Sequence, residues 1–256
     1  MTGDFAIVGT DDASVGTCAL CGASPLGHER KREWIRQCLG EGLRYKTAVK
    51  RATDQTVGMI EYMPGGTTWR SVHAPSYMVI HCVQVPKQHR GRGIGSMLVQ
   101  ESIDDARRHG MDGVVALATE KGWCADSRIY LKNGFEVIDW APPSLELMVK
   151  RLREAELPSF GDWQERLNGL GNGIYMYVSK QCPFTTPAKL LARREGLRSK
   201  YGLDANVIEI ANHKAAQANP CVWGTSGIVC NGRVINYVPG GDAPLLQRLR
   251  QMRLVS

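Results

Sequence analysis

The longest apolar runs in this sequence are strand-sized, and none reaches the roughly 20 residues that a membrane-spanning helix needs. The opening stretch MTGDFAIVGTDDAS lacks the basic-then-apolar order of a secretory signal, so no membrane role is expected and the cytoplasm is the expected compartment. No internal repeat and no low-complexity tract is found. The phosphate-loop pattern Gly-x4-Gly-Lys-Ser/Thr is absent, as is any nucleic-acid-binding motif. A second C-x-x-C is absent too. Cys18-Ala-Leu-Cys21 stands alone, with His28 nearby and Cys38 on the apolar face of a helical pattern, so no structural metal site with four ligands is expected. The other cysteines are scattered, and in a reducing compartment most of the eight are expected as buried thiols.

What is present is an ordinary soluble composition, 43% hydrophobic and 22% charged over 256 residues, enough for one or two domains with a sizeable core. The net charge of +7 is uneven: 19 Lys+Arg face 17 Asp+Glu in residues 1–152, and 13 face 8 in residues 153–256. Much of that excess lies on AKLLARREGLRSKYG. A solvated helix face is the plain reading, and an anionic partner such as RNA the sharper one.

A boundary falls in the polar, Pro- and Gly-containing stretch 153–172, read as a linker with one helical turn between domains at 1–152 and 173–256. Before it, HERKREWIRQCLGEG reads as a helix, LRYKTAVK and TVGMIEYMP as a hairpin, and SYMVIHCVQV as a long strand. A helix follows from Ile94 to His109, with Leu98, Val99, Ser102, Ile103 and Ala106 on one face. GVVALAT, wholly apolar, reads as a strand deep in a sheet and completes a parallel crossover. DSRIYLKN is a short helix, and FEVIDW and LELMV are further strands. Residues before 28 look irregular, and no strand is assigned there.

Between the long strand and the helix runs QHRGRGIGS. A glycine-rich turn opening a helix admits an anion to the backbone, where unpaired N–H groups and the positive end of the helix dipole meet it. The dinucleotide pattern Gly-x-Gly-x-x-Gly fails, because Ser96 stands where the third glycine belongs. Gln88-His89-Arg90-Gly91-Arg92-Gly93 instead fits the Gln/Arg-x-x-Gly-x-Gly/Ala signature and resembles the GNAT family of N-acetyltransferases. IYLKNGFEV, with Tyr130 four residues before Gly134-Phe135, resembles a second element of that family. The resemblance covers about residues 15–150. It implies a mixed sheet with flanking helices, in which two strands splay apart to admit the arm of an acyl-CoA, here acetyl-CoA. It implies cofactor contacts from Val83, Val85, Gln88, His89, Arg90, Gly91, Arg92, Gly93, Ile94, Gly95 and Ser96, and an amine as acceptor.

Acyl transfer to an amine needs a neutral nucleophile, a polarised thioester carbonyl and a proton for the leaving thiolate. By resemblance Tyr130 gives that proton; a packed tyrosine is the plainer reading. For the general base, Glu61, His81, His73 and no side chain at all stay open. Strand alternation predicts that His81 and Cys82 face opposite sides, so that both cannot serve one site.

In the second half, GIYMYVS, a helix over TTPAKLLARREGLRSKYG, ANVIEIA, a short helix around HKAAQA, then TSGIVC and VINYV joined by Asn231-Gly232, and APLLQRLRQM give β-α-β, a hairpin and a helix. Cys182-Pro183-Phe184-Thr185 lies between strand and helix. This resembles the active-site turn of thioredoxin-like proteins with Thr185 in place of the second cysteine, and the two-domain order resembles the YoaP-like subgroup of acetyltransferases. By that resemblance Cys182 is a candidate thiolate, with Pro220 packed near it and Cys221 a candidate disulfide partner. A role in binding or in pairing two copies of the chain, and a core position for Cys221, stay open beside it. The reading is an acyl-CoA-dependent N-acyltransferase working by direct attack in a ternary complex. The alternatives are a thiol-redox protein whose first domain only binds CoA, and an aminoacyl-tRNA-dependent transferase.

Overall fold

The computed structural model describes residues 2–18, 21, 24–119, 126–237 and 242–255. The first half builds β1 (Phe5–Gly9), α1 (Pro25–Leu39), β2 (Arg44–Lys50), β3 (Gln55–Pro64), β4 (Val72–His73), β5 (Tyr77–Gln84), α2 (Ile94–Arg108), β6 (Gly113–Ala118), α3 (Ser127–Lys132), β7 (Glu136–Ala141), β8 (Leu145–Arg151) and β9 (Ser159–Phe160). Then follow α4 (Trp163–Gly169), β10 (Ile174–Val178), α5 (Pro187–Tyr201), β11 (Ala205–Glu209), α6 (His213–Gln217), β12 (Gly227–Cys230), β13 (Arg233–Asn236) and α7 (Asp242–Gln251). Residue contacts divide the chain into two units, one of residues 1–21, 32–68 and 72–160, the other of 22–31, 69–71 and 161–256.

The first unit is a seven-stranded mixed sheet in the order β1-β2-β3-β5-β6-β8-β7. β5 and β6 run parallel around the α2 crossover, and the other pairs are antiparallel. β6 is buried along its whole length, as an apolar strand with neighbours on both sides must be. On α2 the buried Ile94, Leu98, Val99, Ser102, Ile103, Asp105 and Ala106 recur at the helical spacing. Their apolar members join Ile60, Tyr62, Met78, Ile80, Val114 and Ala116 in one core cluster. β1 corrects the expectation of an irregular N-terminus: Phe5–Gly9 pairs in register with Lys46–Lys50 as an edge strand. Five residues are too few for alternation alone to reveal a strand.

The second unit has a four-stranded sheet, β11-β10-β12-β13, with β10 and β11 parallel and the other pairs antiparallel. The elements follow one another along the chain as the sequence reading expects, β-α-β, then a hairpin, then a helix. Asn231 (φ 47°) and Gly232 (φ 69°) both take the left-handed conformation that a two-residue hairpin turn requires. Its core holds Ile174, Met176, Val178, Leu190, Leu197, Ile228, Leu245 and Leu249. Arg70, fully buried, is part of this unit. Its guanidinium carbon lies 3.8 Å above the Trp223 ring, and Nη1 donates to Trp223 O at 2.8 Å and to Thr225 Oγ1 at 3.0 Å. A desolvated cation–π pair of this kind contributes about 2 kcal/mol.

Candidate active site

β5 and β6 are paired over four residue couples, from Tyr77↔Gly113 to Ile80↔Ala116. Beyond that, β5 continues to Gln84 and β6 to Ala118 without pairing to each other. The pairing of the two parallel strands thus ends in mid-course, just before His81, where the family resemblance places a wedge between them.

The glycine turn follows at the open end of the wedge. Lys87–His89 form a 3-10 turn, with Gln88 exposed and His89 half-buried. Arg90 is held by a bond from Nε to Val85 O at 3.0 Å, and Arg92 lies 4.9 Å above the Phe5 ring. Gly91 (φ 77°) and Gly93 (φ 79°) are left-handed, and a methyl group added to either would meet nothing within 4 Å. Open space beside a backbone that only glycine adopts without strain suits a phosphate. Gly93 is the N-cap of α2 and provides no side-chain cap. The first helical bond runs from Met97 N–H to Gly93 O, so the N–H groups of Ile94, Gly95 and Ser96 remain for an anion. The Ile94 side chain itself is in the core.

Gly95 has a second role, since a β-carbon there would overlap Ile129 of α3. Asn133 ties the same two helices by donating from Nδ2 to Ser96 Oγ at 3.2 Å and to Ile129 O at 2.7 Å. Tyr130 is buried on α3, its ring 5.3 Å from that of Phe135, within the core cluster that also holds Ile94 and Ala118. Val83 and Val85 are half-buried against that cluster.

The polar residues of the strands gather on the opposite sheet face. Pairing puts Tyr45 across from Glu61 and Glu61 across from Cys82, one row over β2, β3 and β5. The register then skips, with Tyr62 opposite Ile80, so that His81 is an inserted residue. Ile80 and Val83 both pack into the α2 core, which leaves His81 and Cys82 together on the other face. This corrects the expectation from strict alternation: the bulge breaks the period of two. His81 is buried, with Nε2 2.9 Å from Thr68 Oγ1 and its ring 6.0 Å from that of Trp34 on α1. Glu61 is fully buried and Cys82 half-buried. The Tyr45 phenol is held well above its ordinary range, first by burial and then by the charges of Glu61, Cys21, Cys18 and Cys82. Sequence reasoning missed Tyr45; its place at a buried position of β2 was the available signal. His73, the other histidine weighed as a base, is exposed on β4.

Behind α2, Tyr62 donates to Asp105 Oδ2 at 2.9 Å, Arg108 binds Asp105 and Glu101 at 2.9 Å each, and Lys46 reaches Glu101 at 2.6 Å. Burial raises the Asp105 carboxyl, but the bonds from Tyr62 and Arg108 and the charge of Lys46 outweigh it and hold the group below the usual carboxylate range.

In the second unit, Cys182 is 9% exposed, and Thr185 N–H donates to its carbonyl at 3.2 Å. Thr186, the N-cap of α5, accepts from Lys189 N–H. Gly27 packs so closely that a β-carbon on it would overlap the Pro183 carbonyl. Cys221 is fully buried against Gly227, and burial pushes its thiol far up. It occupies a core position, where a thiolate is opposed. Among the described residues no cluster of three or more His, Cys, Asp or Glu is arranged to hold a metal ion, and no helix is long and apolar enough to cross a membrane.

Comparison with known proteins follows the same lines. The model of the acetyltransferase (GNAT) family matches residues 19–135. The N-acetyltransferase YoaP of Bacillus subtilis is 28% identical over 210 residues, 81% of each chain. The L-methionine sulfoximine/L-methionine sulfone acetyltransferase of Salmonella typhimurium is 38% identical over 132 residues, 51% of this chain and 72% of that one. Among solved structures, the ribosomal-protein-alanine N-acetyltransferase of Brucella melitensis aligns with a TM-score of 0.44 at 21% identity, over 57% of this chain and 99% of that one. Parallel strands whose pairing ends in mid-course, an open glycine turn and a helix start with free N–H groups thus coincide with the stretch that the family model matches, and the chain belongs to the GNAT family of acetyltransferases.

Proposed function

We propose that the chain transfers the acetyl group of acetyl-CoA to the amino group of a small amino acid or amino-acid analogue, by direct attack in a ternary complex. The observation that carries this is the end of β5–β6 pairing at Ile80↔Ala116, immediately before an open turn at Gly91 and Gly93. A pantetheine arm enters the wedge, and its pyrophosphate meets the N–H groups from Gly91 to Ser96, with the Arg90 and Arg92 side chains adding charge. The thioester then lies at the bulge, where a break in the ladder frees backbone groups to polarise the carbonyl.

The acceptor comes from the Glu61 face. Glu61 takes the proton of the incoming ammonium through water; His81, beside the same apex, is the alternative base. Tyr130 protonates the departing CoA thiolate. The acceptor class is inferred from the relatives named for methionine sulfoximine and methionine sulfone. The cytoplasm, where acetyl-CoA and reduced thiols coexist, is the proposed compartment. The second unit is proposed to serve binding, with Cys182 as its candidate reactive group. The deciding experiment is a thiol-release assay with acetyl-CoA against a panel of amino acids, polyamines and aminoglycosides. Turnover on amino acids alone supports the reading; turnover on none of the amines overturns it.

A further inference from the structure

The first turn of α2 is pressed against α3, with no room for a β-carbon on Gly95 beside Ile129. Asn133, which caps the C-terminus of α3, donates from Nδ2 to Ile129 O at 2.7 Å and to Ser96 Oγ at 3.2 Å. The direction of the second bond follows from the first. A carbonyl oxygen only accepts, so the Asn133 atom that meets Ile129 O is the amide nitrogen. The same nitrogen meets Ser96, so the serine oxygen is the acceptor and its own proton is not used there. The Ser96 side chain makes no other hydrogen bond among the described residues. A serine within a helix commonly turns its proton back to the carbonyl one turn earlier, here that of Arg92, and this one does not. The Ser96 N–H is also unused, because the first helical bond is that of Met97 N–H to Gly93 O. One half-buried residue, three places after Gly93, thus carries two unused donors at the helix end that favours negative charge.

We propose that Asn133 is a positioning residue for the co-substrate: its amide occupies a lone pair of Ser96 Oγ and so leaves the hydroxyl proton to be donated to the pyrophosphate of acetyl-CoA. The proposal rests on the reading of the glycine turn as the pyrophosphate site. Ser96 then gives the anion two bonds, one from its backbone N–H and one from its side chain. The second is charge-assisted, and so about twice as strong as a bond between neutral groups. It depends on Asn133, because without the amide the hydroxyl is free to turn back to the Arg92 carbonyl. Asn133 itself touches Ser96 and Ile129 and acts on the anion only through the serine.

The test titrates acetyl-CoA, and dephospho-CoA, which keeps the pyrophosphate and lacks the 3′-phosphate, into the full-length wild type, Ser96→Ala, Asn133→Ala and the double variant. Thermal melts show that each chain is folded. Each single variant should bind both ligands roughly tenfold or more weakly than the wild type, the cost of one lost bond to a charged group. The double variant should bind no more weakly than Ser96→Ala, since the two residues act as one unit. Asn133→Asp, of the same shape, should bind at least as weakly as Asn133→Ala, because its carboxylate takes the serine proton; it also serves if the alanine variant does not fold. Additive losses in the double variant overturn the proposal, because they are what a packing role for Asn133 would give. Wild-type affinity in a folded Asn133→Ala or Asn133→Asp chain overturns it as well, and so does a loss seen with acetyl-CoA but not with dephospho-CoA. A folded wild type that binds neither ligand overturns the acyl-CoA reading itself, a result distinct from the other three.

Discussion

Ile80 and Val83 stand three residues apart on β5 and yet pack into the same core cluster, so both residues between them, His81 and Cys82, face the other side. Glu61 lies opposite Cys82 on that side. Two candidate bases therefore share one face at the apex of the wedge, and kinetics must separate them. Glu61→Gln should lower turnover by about 10²- to 10⁴-fold at neutral pH, the usual contribution of a general base. Part of that loss should return at high pH, where the amine is already neutral. Acetyl-CoA affinity should stay unchanged. A pH–rate profile of Glu61→Gln beside His81→Gln decides the assignment: if only the histidine variant loses rate, His81 is the base.

Tyr130→Phe should reduce turnover by roughly 10- to 1000-fold with little change in the Michaelis constant for acetyl-CoA, because the hydroxyl matters as thiolate charge develops. Steady-state kinetics with a CoA analogue whose thiol is more acidic provide the check. The variant should recover relative to wild type with the better leaving group. Equal deficits with both substrates would show a packing defect instead.

The helix that follows the glycine turn is anchored by Asp105, whose carboxyl is held below the usual carboxylate range. A group depressed in the folded state contributes stability that is present above its unfolded pKa and is lost as pH falls through the folded value. The first unit should therefore lose stability from about pH 4 downward, and Asp105→Asn should flatten that slope while costing about 1–3 kcal/mol near neutrality. Chemical denaturation at several pH values measures both. A slope unchanged in Asp105→Asn would assign the acid sensitivity to other carboxylates.

Arg70→Ala should destabilise the second unit by about 3–5 kcal/mol, since it removes a buried charge stacked on Trp223 and leaves Thr225 and the Trp223 carbonyl short of a donor. A separately expressed fragment of residues 161–256, which lacks Arg70 and residues 22–31, should melt without a cooperative transition. A sharp thermal transition for that fragment at the full-chain temperature would show that these two pieces are dispensable.

Most elements were legible because each carried a strong local signal: the 3.6-residue period of α2, the wholly apolar β6, the Asn231-Gly232 turn. The glycine turn was legible because glycine at positions 91 and 93, between a strand and a helix, marks backbone of positive φ. The bulge at His81 was not, since one inserted residue leaves no trace in a run as uniformly apolar as YMVIHCVQV. Nor was the placement of Arg70, whose partners Trp223 and Thr225 lie about 150 residues away in the chain. β1 escaped because a five-residue edge strand depends on its partner more than on its own pattern.

The central claim is that backbone N–H groups at Gly91–Ser96 hold the pyrophosphate of acetyl-CoA. Isothermal titration of acetyl-CoA into the wild type and Gly93→Val tests it most directly, with circular dichroism to show that the variant is folded. Gly93 has a positive φ and open space beside it, so a valine there places its branches where the phosphates would approach. The wild type should bind one acetyl-CoA per chain, and the folded variant should show an affinity reduced by about 100-fold or more, the order expected when an anion loses several charge-assisted bonds. Equal affinity in a folded Gly93→Val chain would contradict the assignment.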